Sequence, residues 1–202
     1  MTIWRGTQPL ILASKSAARQ ALLRSAGIAF EVIHANIDER AIELASVRTS
    51  PGKVAALLAR EKALAVSVQH RNQFVVGADQ TLAVGDQRFS KPAGRAEAVR
   101  QLQALAGRTH ELHSAVAVAR EGKQLWSDIA VARMTVRPLD DAAISAYLDA
   151  AGAAVTTSVG AYQLEGLGVH LFEQIDADHF TILGLPLLPL LQFLRSRQLL
   201  AV

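Results

Sequence analysis

The 202-residue chain has no cysteine. That excludes a disulfide framework and thiolate chemistry, and it fits a reducing cytoplasm. A charge block of either sign is also missing: 21 Lys and Arg stand against 18 Asp and Glu, a formal net charge of +3. No basic stripe carries interleaved aromatics, so a nucleic-acid surface is not expected. No apolar run reaches the roughly 18 residues of a membrane span. The most apolar stretch, Gly184 to Leu194, is shorter and is interrupted by Pro186 and Pro189. The opening Met1-Thr2-Ile3-Trp4-Arg5-Gly6 has no signal-peptide architecture. The glycine fingerprint of dinucleotide-dependent oxidoreductases is absent after the first apolar run, and so is the Walker phosphate loop. There is no internal repeat, low-complexity segment or long linker. On these absences a soluble cytoplasmic protein with no membrane or nucleic-acid partner is expected. Half of its residues are hydrophobic, enough for one domain over 1–202, with a boundary between lobes expected rather than one between domains.

What is present alternates between strand and helix signals. Leu10 to Ala13 reads as a buried strand, followed by a helix capped by Ser16, with Ala21, Leu22 and Ala26 inward and Gly27 as its stop. Phe30 to Ile33 is the next strand. Ser50-Pro51 opens a helix to about Val68, with Val54, Leu57, Leu58 and Ala65 inward and Lys62 at the edge of that face. Phe74 to Ala78 is a strand and Gly85-Asp86 a hairpin turn. A helix spans about Arg95 to Ala106, and His110 to Ala119 with Gln124 to Val136 forms a long hairpin. Asp140-Asp141 opens a helix, Gly160 to Gly168 is a glycine-rich loop, Val169 to Ile175 is strand-like, and Pro186 to Gln198 closes the chain. The long hairpin favours an α/β fold with a mixed sheet.

Two acidic residues fall where strands are expected to stop: Asp79, ending the run from Phe74, and Glu39, closing Asn36-Ile37-Asp38-Glu39. Carboxylates so placed can hold a hard divalent metal. Lys62 and Lys91 stand in separate segments, and Ser14-Lys15-Ser16-Ala17-Ala18-Arg19 is a serine/arginine turn before a helix. Cations and helix-start amides bind phosphates. The set points to metal-assisted chemistry on a polyphosphate.

Eight segments carry a resemblance to the Maf family of nucleotide pyrophosphatases. They are Leu12 to Arg19, Ile37 to Glu39, Ala59 to Ala63, Val76 to Gln80, Ser90 to Pro92, Gly107 to Glu111, Gly160 to Gly168 and Gly184 to Pro186. Each is weak alone; in family order over nearly the whole chain they are strong together. The resemblance implies hydrolysis of a nucleoside triphosphate to the monophosphate and pyrophosphate with Mg²⁺ or Mn²⁺. It also implies an elongated, twisted mixed sheet flanked by helices, with a central cleft between two lobes. That fold is similar to the inosine triphosphate pyrophosphatases, and members are often homodimers.

On that resemblance, Asp79 binds metal and orients or deprotonates water, and Glu39 shares the metal, with Asp38 as a helper. Lys62 and Lys91 hold phosphate oxygens and the charge developing on pyrophosphate. Ser14 and Arg19 belong to the phosphate-binding turn. Gln80 and Glu165 match the branch that prefers 7-methylguanosine triphosphate, whereas Ala17 and Ala18 stand where the family carries proline and arginine, or tryptophan in that branch. Plainer readings stand beside these: a turn-capping Asp79, a solvated Glu39 and Lys91, Lys62 snorkelling from a helix face, and Glu165 bracing its loop. Gly107 and Thr109 shape a strand start beside the cleft. The six histidines show no metal-ligand spacing, Trp4 and Trp126 are too isolated for a stacking platform, and Tyr162 either touches a base or packs in the core. A different class of function, a nucleotide-binding regulator of cell division with little turnover, would use the same cleft.

Overall fold

A computed structural model describes residues 3–202, so the reading of Met1 and Thr2 lies outside the described residues. Seven strands form one mixed sheet: β1 (Leu10–Leu12), β2 (Phe30–Val32), β3 (Val75–Val84), β4 (Gln87–Phe89), β5 (Thr109–Arg120), β6 (Lys123–Val136) and β7 (Phe172–Asp176). The order is β2-β1-β3-β5-β6-β7, with β4 also on β3. β2, β1 and β3 run parallel, and the pairs from β3 through β5 and β6 to β7 are antiparallel.

This arrangement creates an opening. One edge of β3 pairs with β5 from Val75 to Ala83. The opposite edge pairs with β1 at Val75 and Val76 and with β4 from Leu82 to Val84. Between them, Gly77 to Thr81 has no strand on that side among the described residues. Asp79 therefore lies in the middle of a ten-residue strand, at a gap in the sheet, and not at the strand end expected from the run Phe74 to Ala78. Asp79 interrupts the apolar pattern because its carboxylate pairs with Lys62 beside that gap.

The helices are α1 (Ala17–Ser25), α2 (Glu39–Ala45), α3 (Pro51–Ser67), α4 (Arg95–Leu105), α5 (Asp141–Ala151), α6 (His179–Ile182) and α7 (Leu187–Ser196). Ser16 caps α1 by accepting from the Arg19 N–H, and Pro51 opens α3 at its first turn, as expected. Ala21 is exposed, however, and Leu22 and Leu23 make the buried face of α1. On α3, Leu57 and Ala65 are only half-buried, while Lys62 is fully inside. Leu167–Leu171 forms a 3₁₀ turn, so β7 begins only at Phe172. The short α2 and α6 have no strong sequence signal.

Among the described residues, the two larger of four apolar clusters lie along the long strands. One packs α1 and α7 on Leu10, Leu12 and Val76; the other packs α4 and α5 on Leu82, Leu112 and Met134. These are the two lobes, and the gap in β3 falls between them. No described helix is long and apolar enough to cross a membrane.

Candidate active site

Helix α3 can approach β3 only because the contact is made of small residues. A Cβ at Gly77 would lie 2.1 Å from the Ala59 carbonyl oxygen and 2.7 Å from the Ala63 nitrogen. Ala55, Ala59 and Ala63 meet Ala115, Ala117 and Ala119 of β5 in a layer of alanines. Side chains two apart on a strand share a face, so Asp79 points to α3 as Gly77 does. Lys62 reaches it there: its Nζ lies 2.6 Å from Asp79 Oδ1 and 2.7 Å from Glu39 Oε2. Asp38 caps α2 by accepting from the Ala41 N–H, which sets Glu39 in the first turn. The Lys62 and Asp79 side chains are 10% and 13% exposed, and Glu39 is 50% exposed. Asp79 Oδ2 has no partner among the described residues and is not sealed off, so it faces the cleft.

All eight site residues expected from the sequence line one cleft of about 780 Å³: Ser14, Arg19, Glu39, Lys62, Asp79, Gln80, Lys91 and Glu165. That volume suits a nucleotide-sized ligand. Lys91 and Glu165 are exposed and have no partner among the described residues. Lys15, also at the cleft, is exposed.

Arg19 is buried at the base of the Ser14 to Arg19 turn. Its Nε donates to the Gly184 carbonyl at 2.7 Å, and Nη1 donates to the Ala78 carbonyl at 2.8 Å and to Ser14 Oγ at 3.1 Å. Gly184 takes a φ of +85°, which presents that carbonyl inward. Arg19 thus clamps α1 to the open edge of β3 and to the segment before α7, leaving Nη2 without a hydrogen-bond partner among the described residues. Burial lowers the Arg19 pKa, opposed by Asp79 and Glu39.

Several contacts around the cleft carry no sequence signal. Gln101, on α4, donates to the Ser90 carbonyl at 2.8 Å and accepts from the Gly160 N–H at 3.2 Å. It ties the Lys91 segment to the glycine-rich loop. His110 meets Tyr162 Oη at 2.7 Å, and burial lowers its pKa to about 4. Tyr162 is 5% exposed and packs on Phe172, so its larger part is core, with one side lining the cleft. Burial and the nearby Asp79 raise the Glu43 carboxyl, one turn beyond Glu39. None of these could be found from spacing, because their partners are distant in sequence.

Two carboxylates around one point make the donor set a hard divalent ion takes when phosphates and water supply its remaining ligands. Glu39 and Asp79 fit that role, and Lys62 is the cation they hold in this structure. Among the described residues no group of three or more His, Cys, Asp or Glu could hold a metal.

The fold and site define a two-lobed α/β protein with a cleft of about 780 Å³, cations and a helix start at one part of it and a buried carboxylate–lysine pair at the gap in the sheet. The chain belongs to the family of Maf-like proteins, whose profile matches residues 9–197. It is 65% identical over 202 residues, all of both chains, to a nucleoside triphosphate pyrophosphatase of Bradyrhizobium diazoefficiens. It is 64% identical, again over all of both, to a protein of the same name from Rhodopseudomonas palustris. A 7-methyl-GTP pyrophosphatase of Brucella abortus is 50% identical over 194 residues, 95% of this chain and 98% of that one. A solved HAM1 protein of Coxiella burnetii has a TM-score of 0.41 at 15% identity, over 64% of this chain and 73% of that one.

Proposed function

We propose that the chain is a nucleoside triphosphate pyrophosphatase, releasing a nucleoside monophosphate and pyrophosphate, with 7-methyl-GTP or another modified nucleotide as a substrate. The observation that carries the reading is the Glu39–Lys62–Asp79 centre opening onto the cleft. Asp79 is held through Oδ1 by Lys62 and keeps Oδ2 free to accept a proton from water. Water attacks the α-phosphorus, its proton passes to Asp79, and the bond from that phosphorus to the bridging oxygen breaks. The electron pair leaves with pyrophosphate, whose charge Lys62 and Lys91 stabilise. A positioned base of this kind contributes about 10²–10⁴-fold. A Mg²⁺ or Mn²⁺ held by Glu39 and Asp79 would neutralise phosphate charge and polarise the reacting group when bound. Ser14, Arg19 and the start of α1 seat the polyphosphate. Gln80 and Glu165, together with the Brucella relative's name, support the methylated purine. Ala17 and Ala18 set this chain apart from the branch pattern. The reading carries with it a cytoplasmic house-cleaning role and a homodimer.

The test is pyrophosphate release from canonical triphosphates and 7-methyl-GTP, with Mg²⁺, with Mn²⁺ and with EDTA. Release that needs the cation supports the enzyme, and preference for the methylated purine supports the subclass. Nucleotide binding without release would favour the regulator of cell division.

A further inference from the structure

Gln80 is held in a way that fixes what it can recognise. Its Nε2 lies 2.8 Å from Ser114 Oγ, 3.2 Å from the Thr181 carbonyl and 3.0 Å from the Ile182 carbonyl. Carbonyl oxygens only accept, so the nitrogen must face them; turning the amide over would set oxygen against oxygen at both. Ser114, fully buried on β5, cannot reverse this. Its hydroxyl donates to the Thr181 carbonyl at 2.7 Å, leaving its lone pairs for Gln80. Gln80 Oε1 has no partner among the described residues, is not sealed off, and belongs to a side chain lining the cleft. The side chain therefore offers the cleft an acceptor and no donor.

We infer that Gln80 is a one-way reader that meets an N–H or O–H of the ligand, never a phosphate oxygen, and that Ser114 is the positioning residue that fixes its polarity. This rests on the pyrophosphatase reading and adds to it the kind of group recognised. In a nucleotide that chemistry has two sources, the donor edge of the base and the ribose hydroxyls. The two carbonyls come from α6, capped by Asp178, which accepts from the Thr181 N–H at 3.0 Å, so the α6 turn sets the geometry as much as Ser114 does.

The experiment uses pairs of triphosphates differing by one donor, in the wild-type protein and in Gln80→Met. The pairs are GTP and 1-methyl-GTP, GTP and ITP, UTP and 3-methyl-UTP, and ribo- and 2′-deoxy-nucleotides. One deletion is expected to lower wild-type kcat/KM at least about 10-fold and to cost less than about 2-fold in Gln80→Met. Loss on a base deletion assigns the base edge; loss on the 2′-deoxy substitution assigns the sugar. Ser114→Ala is expected to reduce the same discrimination through KM, with kcat for the donor-lacking member little changed. Equal rates for every pair in wild type, or a penalty undiminished in Gln80→Met, would overturn the inference. Pyrophosphate release itself separates this from the broader reading: no release from any nucleotide refutes the enzyme, whereas release without discrimination refutes only Gln80 as the reader. If Gln80→Met does not fold, calorimetric binding of non-hydrolysable α,β-methylene analogues of the same pairs to wild type gives the decision: equal affinities overturn the inference.

Discussion

Lys62→Met removes the ammonium and keeps most of the side-chain volume. Two carboxylate oxygens, each within 2.7 Å of one nitrogen, then stand roughly 5 Å apart with nothing between them. At an effective dielectric of about 20 their repulsion is about 3 kcal/mol. Glu39 is half-exposed and can turn to water, so its share is screened. Asp79 cannot turn away so easily, and removing one partner of a buried pair is strongly destabilising. The expected loss is about 2–3 kcal/mol, or about 5–10 °C in Tm for a chain of this length. Turnover should fall by about 10²–10³-fold with the lost cation. Thermal unfolding with and without Mn²⁺, in the absence of nucleotide, tests the reasoning. Mn²⁺ should restore the variant, because a divalent ion replaces the missing charge, and should move wild type little, because Lys62 already joins the pair. A variant that melts with wild type, or Mn²⁺ raising both equally, would refute it.

Gly77→Ala should cost about 3 kcal/mol in a denaturant titration, because the added methyl meets the Ala59 carbonyl at 2.1 Å and must push α3 off the sheet. Asp79→Asn should keep the fold by circular dichroism and lower pyrophosphate release by about 10²–10⁴-fold, since an amide cannot take the proton; near-normal release would sink the mechanism. His110 has its pKa lowered from 6.5 to about 4 by burial, so the unfolded chain takes up the proton first as the pH falls. Its contribution is present above pH 6.5 and is lost toward pH 4, about 3 kcal/mol in all. His110→Gln should show a correspondingly shallower loss of stability over that window in urea titrations, and an unchanged slope would assign the loss elsewhere.

The parts of the site legible in sequence are those set by local chemistry. Ser16 as a cap, Pro51 at a helix start and Gly85-Asp86 as a turn depend on neighbours a few residues away, and all three hold. The eight cleft residues were found as motifs and do line one cleft. What could not be read is pairing at a distance. Asp79 looks like a strand end because the sequence does not show that β1 and β4 leave the middle of β3 open on one side. Lys62 looks like an edge residue because lysine is rarely buried, and its partners lie on other elements. Gln101 and Ser114 have no motif, since each acts by holding a segment far along the chain.

The burial of Lys62 is hard to explain as a device for stability. Withdrawing an ammonium and a carboxylate from water costs several kcal/mol per ion, and well-packed apolar residues in the same volume often do as well or better. Around the pair, Ala59, Ala63 and Gly77 give up side-chain volume so that α3 can come close enough for Lys62 to reach Asp79. Larger residues there would bury more apolar surface and would hold the two groups apart. A rigid, nearly dry lysine paired with Asp79 is instead what electrostatic preorganisation would require under the proposed mechanism, because fixed charges need not reorganise as charge develops on the phosphates. On the proposed mechanism, the small-residue contact between α3 and β3 serves the Lys62–Asp79 pair as much as it serves the core.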